Sequence, residues 1–156
     1  MAIAQSLKTY LKEQGLQYEV VRHAHTESST YSAAAAHVPG DRLAKSVLVA
    51  DEEGYLLAVV PSSHRVQLGE LDRQLERKLG LATEGELREL FKDCEIGAIP
   101  PVGAAYGIEM VVAQSLTEQP EVWFEAGDHE LLIHVSGEQF STLIGDAPRR
   151  LFTRHV

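Results

Sequence analysis

Apolar positions along the chain fall into blocks whose spacing alternates between helical and extended. Ile3, Leu7, Tyr10 and Leu11 recur at i, i+4, i+7 and i+8, and Gly15 stands where a C-cap would, which predicts an amphipathic first helix. Residues 18–22 are rich in β-formers and predict a short strand. A polar stretch over 23–30 precedes a second short helix at 31–37, halted by Pro39-Gly40. Segments 46–50 and 55–60 are nearly continuous apolar runs joined through Asp51-Glu52-Glu53-Gly54. They predict a hairpin whose strands are central and covered on both faces. Leu68, Leu71, Leu75 and Leu79 predict a helix over 66–79 that ends at Gly80. Thr83-x-x-Glu86 and Ser136-x-x-Gln139 fit capping boxes. The first opens a helix burying Leu87, Leu90 and Phe91, and the second a helix that stops at Gly145. Residues 97–103 hold two prolines and two glycines, so they predict a loop. Strands are expected at 108–113, 121–125 and 131–135. Helices and strands interleave, yet the hairpin is antiparallel, so the pattern is not doubly wound. A mixed α/β fold follows, with a curled, barrel-like mixed sheet and packed helices. No repeat or linker interrupts residues 1–156, which read as one domain.

Composition narrows the function classes. The chain has 156 residues, 44% of them apolar and 24% charged, which excludes wholesale disorder and a disulfide scaffold. Fourteen Lys and Arg oppose 23 Asp and Glu, for a net charge of −9. General polyanion binding is therefore excluded, because it depends on releasing counterions with clustered cations. A nucleic-acid partner must meet a local patch, for which Arg22, Arg42, Lys45, His64 and Arg65 are candidates. The single cysteine, Cys94, permits no internal disulfide and suits a reducing compartment. The first residues lack a signal peptide's apolar core, and no run approaches the roughly 20 apolar residues of a membrane span. Cytoplasmic placement is expected, with neither a membrane nor a DNA partner.

Most familiar chemistries find no support. Seven histidines invite a metal, with His23, His25, His129 and His134 foremost, yet no Cys-x-x-Cys or His-Glu-x-x-His spacing occurs and no metal is expected. Cys94 lies between Asp93 and Glu95, which disfavours a thiolate. No nucleophile elbow or phosphate-binding glycine motif is present. Ser28, Ser29, Ser62 and Ser63 read as caps beside probable helix starts. Two features stand out. Lys45 stands at the threshold of an apolar strand, either as a snorkelling side chain or as a fixed cation for a phosphate or carboxylate. The Gly97 to Gly103 loop is either a rigid connector or a backbone cradle for a carbonyl or water.

Lys45-Ser46-Val47-Leu48-Val49 together with Gly97-x-x-x-Pro101 resembles the YbaK family, free-standing relatives of the editing domain inserted in bacterial prolyl-tRNA synthetase. The His23-Ala24-His25-Thr26 stretch, the Leu68 to Leu79 and Thr83 to Phe91 segments, and the Gly127-Asp128-His129 turn match in family order. The resemblance implies hydrolysis of mischarged aminoacyl-tRNA without metal or organic cofactor. Carried over by position, Lys45 holds the tRNA terminus near its last phosphate, while Gly97 and Pro101 shape the pocket around the aminoacyl carbonyl and the attacking water. Ser46, His23, His25, Thr26, Ala98, Ile99, Pro100, Gly127, Asp128 and His129 are the implied substrate-binding positions. The implied partner is the acceptor end of an aminoacyl-tRNA, and the expected state is a monomer or weak homodimer. A non-catalytic module that reads the same ligand is the alternative.

Overall fold

A computed structural model describes residues 3–25 and 29–156; Thr26, among the expected substrate-binding positions, lies outside them. In chain order the strands are β1 (Glu19–Arg22), β2 (Leu43–Asp51), β3 (Gly54–Pro61), β4 (His64–Val66), β5 (Gly80–Leu81), β6 (Glu109–Ala113), β7 (Glu121–Glu125), β8 (Leu131–Ser136), β9 (Arg149–Arg150) and β10 (Thr153–His155). The helices are α1 (Gln5–Glu13), α2 (Ser29–Ala35), α3 (Leu68–Leu75), α4 (Glu84–Leu90), α5 (Gln114–Thr117) and α6 (Gly137–Ile144), with 3-10 turns at Gly40–Arg42 and Gly103–Tyr106.

The β2–β3 hairpin is the centre of the sheet, registered from Ala44 opposite Pro61 to Asp51 opposite Gly54. Asp51 Oδ1 closes its turn by accepting from the Glu53 and Gly54 amides. Among the described residues the sheet order is β1-β8-β7-β2-β3-β6-β9, with β5 added to β2. Pairing is antiparallel within β1–β8, β7–β8 and β2–β3, and parallel at β2–β7, β3–β6 and β6–β9. The sheet is mixed, as expected. No pairing joins β1 to β9, so the expected barrel-like closure is not seen among these strands.

Strand β3 meets the expectation of two covered faces. Leu57 and Val59 join a core with Leu7 and Leu11 of α1, Phe124, Ile133 and Phe140. The alternate residues Leu56, Ala58 and Val60 pack with Leu71 and Phe152. Strand β2 departs from it: Lys45, Ser46 and Val47 are only half-buried. The edge pairing explains this. Strand β7 covers Leu43 and Ala44 and β5 covers Val49 and Ala50, so residues 45–47 have no strand partner on that edge among the described residues.

Both capping boxes form with reciprocal bonds. The helix expected over 66–79 is shorter. Glu76 adopts a left-handed backbone (φ 54°), and Arg77 then grips Asp51 with two bonds of 2.7 Å, turning the chain into β5. The ribbon β4–β10 has too few residues to show a period in sequence.

Candidate functional site

The gap beside β2 is filled by the Gly/Pro loop. Ser46 Oγ donates to the Ile99 carbonyl at 3.0 Å, and Ala98, Ile99, Pro100 and Pro101 are all buried. Gly97 has φ 86°, a left-handed conformation that a side chain would strain. Two prolines remove donors that could otherwise extend the sheet, so a side-chain hydroxyl makes the link to β2.

The other end of the loop is held by the Gly127 turn. Asp128 Oδ1 accepts from the amides of Glu130 and Leu131, each at 3.0 Å, an Asx-type turn that places His129 at φ 60°. Gly127 (φ 117°) lies so close to α1 that a Cβ would come within 2.9 Å of Ala4 Cβ. From this turn the Gly127 carbonyl accepts from the Glu95 amide at 2.8 Å. His129 is 3% exposed, and its Nε2–H donates to the Ile96 carbonyl at 2.7 Å. Three ties, to Ser46, Gly127 and His129, thus clamp the loop between β2 and the β7–β8 turn. Both His129 nitrogens face the protein, since Nδ1 lies 3.9 Å from Glu125 Oε1. Its part is to position the loop.

Glu125 is 1% exposed. Burial pushes its carboxyl up to about 7, opposed by the Ser32 hydroxyl and assisted by the neighbouring Asp128 and Glu95 charges. His25 packs edge-on to His129, with ring centroids 5.8 Å apart, and bonds Glu95 at 3.3 Å. His23 is buried, its Nδ1 donating to the Ala24 carbonyl at 2.7 Å and its amide to the Glu130 carbonyl at 2.8 Å. His25, His129, Glu95 and Ile96 line a cavity of about 570 Å³ with Phe91 and Cys94. Burial pushes the Cys94 thiol up to about 12, against a compensating bond to Tyr106. It is no nucleophile at neutral pH.

Lys45 precedes Ser46, and successive side chains of a strand leave on opposite faces. Ser46 meets the loop; Lys45 shares its face with Val47 and Val49, which pack into the Val60 and Phe152 core. The Lys45 ammonium forms no hydrogen bond or ion pair with the described residues. Burial lowers its pKa, and the nearby Arg65 charge lowers it further. The expected basic patch is only partly assembled. Lys45, His64 and Arg65 are neighbours, but Arg42 is paired with Glu121 at 3.2 Å. Arg22 lies on the outer strand β1. A member missed in sequence is Arg154, which stands opposite Arg65 in the β4–β10 register.

The histidines expected as metal candidates are divided. His134 stacks on Trp123 at 4.3 Å and bonds Glu121 at 2.8 Å, apart from the His25–His129 pair.

The fold and clamped loop define a class that comparison with known proteins names. The aminoacyl-tRNA editing domain model matches residues 23–143, and the chain belongs to that family. A crystal structure described as "a putative trans-editing enzyme for prolyl tRNA synthetase" is 27% identical, covering 99% of this chain and 98% of that one, with a TM-score of 0.85. A second crystal structure, of a hypothetical protein, shares the fold at 21% identity, 96% and 100% coverage and a TM-score of 0.84. No curated protein matches the chain significantly. Among the described residues no helix is long and apolar enough to cross a membrane.

Proposed function

We propose that the chain is a single-domain, trans-acting deacylase of the cytoplasm that hydrolyses the ester of mischarged aminoacyl-tRNA. The substrate would be a prolyl-type tRNA carrying a small amino acid such as alanine or cysteine. The observation that carries this reading is the interrupted edge of β2, where a clamped Gly/Pro loop meets Ser46 and the preceding residue is a lysine with no partner among the described residues. The family membership and the 27%-identical trans-editing structure support it.

An aminoacyl ester is already activated, so the site needs orientation and oxyanion donors more than a strong base. Water adds to the ester carbonyl. The carbon–oxygen bond to the terminal ribose then breaks, and the ribose oxygen takes up a proton as the amino acid leaves. The fixed backbone from Gly97 to Pro101 shapes the pocket around the ester carbonyl and the attacking water. The Ala98 amide is already bonded to the Glu95 carbonyl at 3.1 Å, so Ala98 acts by shape, not as a donor. The vicinal ribose hydroxyl helps position the water. Lys45 takes a phosphate of the acceptor end as its missing counter-charge.

Deacylation of a broad panel of mischarged tRNAs tests the proposal. Turnover above buffer on at least one small-amino-acid tRNA is expected. Binding of the acceptor end with no turnover on any member would refute the deacylase and leave a binding module.

A further inference from the structure

Away from the loop, a different set of side chains converges where the ribbon β4–β10 meets the Gly40–Arg42 turn. The register places His64 opposite His155 and Arg65 opposite Arg154. Alternation therefore puts both imidazoles on one face of the ribbon and both guanidiniums on the other. The histidine rings lie edge to face, 5.3 Å between centroids. Asp41 reaches over that same face: its Oδ1 is 3.5 Å from His155 Nε2 and 3.8 Å from His64 Nε2. One ligand atom from each of the three residues lies within 4.8 Å of the others.

We propose that Asp41, His64 and His155 form a binding site for one divalent transition-metal ion of the zinc type. Two imidazoles and one carboxylate are the donor set such ions take, with the remaining positions left to water. Metal bonds of about 2.1 Å place tetrahedral ligands about 3.4 Å apart, so the two Asp41 distances need to close by only a few tenths of an ångström. The two exposed ligands, Asp41 and His155, can supply that movement.

The surroundings are arranged as outer support. His64 Nδ1 lies 2.8 Å from Thr153 Oγ1; with the proton on Nδ1, the Nε2 lone pair is left for the ion. Ser63 Oγ donates to Asp41 Oδ1. The Val156 amide donates to the Ser63 carbonyl at 2.9 Å, anchoring the segment that carries His155. Lys45 is the cation that opposes binding, so the affinity should be micromolar and not that of a buried structural site. None of the three ligands takes part in the Ser46–Ile99 seam, though His64 also borders Lys45 of the proposed acceptor-end patch.

The test is calorimetric titration of chelator-stripped protein with zinc, repeated with cobalt by visible absorption. One equivalent is expected at micromolar Kd. Removing a ligand should weaken binding at least about tenfold in His155→Ala and in Asp41→Asn, both at exposed positions. His37→Asn, an exposed histidine outside the ligand set, should leave it unchanged, and Thr153→Val should weaken it severalfold. Unfolding temperatures without metal check that each variant folds. Binding no tighter than millimolar, or an affinity that His155→Ala and Asp41→Asn leave intact, would overturn the site.

Discussion

Replacing Lys45 separates catalysis from packing more sharply than any other substitution. Its ammonium is half-buried, repelled by Arg65 and without an anion among the described residues. Removing the charge therefore breaks no internal bond, and at neutral pH it relieves an unfavourable desolvation. The sign follows from linkage. A lysine whose folded pKa lies below 10.5 binds fewer protons folded than unfolded across that window, so its penalty is full at neutral pH and fades as pH rises through the folded value. Lys45→Met keeps most of the apolar stem against Val47 and Val60 while deleting the charge. Its unfolding temperature should equal or exceed that of the wild type. Deacylation should behave oppositely. A charge-assisted contact to phosphate is worth about 1.5–3 kcal/mol, which corresponds to a fall in kcat/KM of roughly tenfold to a hundredfold. Lys45→Arg should recover only part, because a planar fork does not reproduce a point charge. The assay pairs thermal unfolding with deacylation of the best substrate. Wild-type turnover in Lys45→Met would refute the role of Lys45, and a large loss of stability would show that its charge is satisfied in the fold.

Other substitutions probe the clamp and its surroundings. Ser46→Ala removes the bond to the Ile99 carbonyl. It should cost about 1 kcal/mol, or roughly 2–4 °C in unfolding temperature, while lowering kcat more than it changes KM; an unchanged kcat would remove Ser46 from the positioning of the loop. Glu125 binds a proton more readily folded than unfolded, its carboxyl being raised from 4.5 to about 7. The wild type should therefore lose up to about 3 kcal/mol of stability as pH rises between those values. Glu125→Gln should flatten that slope, and denaturant unfolding at pH 5 and pH 8 measures both. Cys94, with its thiol near 12, should resist iodoacetamide at pH 8 in the native protein and react on unfolding; rapid native alkylation would contradict the burial argument.

Sequence patterning is a good guide wherever a local rule decides the conformation. The hairpin, the two capping boxes and the strand Glu121–Glu125 follow from apolar runs and side-chain caps that act over a few residues. The pattern misleads where a distant partner intervenes. Leu79 continues the leucine spacing of α3, but it is buried in the Val49 and Phe152 core after the helix has ended, because Arg77 is drawn to Asp51. The half-exposure of Lys45 to Val47 is invisible in an apolar run. It arises because β7 and β5 cover different parts of one strand edge, a fact of topology.

The candidate site was legible as residue types but not as an arrangement. Gly97, Pro101, Ser46, Gly127, Asp128 and His129 stand out in sequence, and the structure joins them through the three ties that hold the loop. Lys45 belongs to the other face of the same strand, a consequence of alternation that adjacency in the motif conceals. This division suits a substrate with two chemically different ends. On the proposed reading, the neutral loop would surround the ester carbonyl without holding the carboxylate product through a permanent charge. A desolvated cation is required where a phosphate must be held. With a net charge of −9, most of the surface repels a polyanion, so an acceptor end would be admitted through Lys45 and the Arg65–Arg154 pair and excluded elsewhere. Lys45 and Ser46, adjacent on one strand, would keep those two environments in fixed relation.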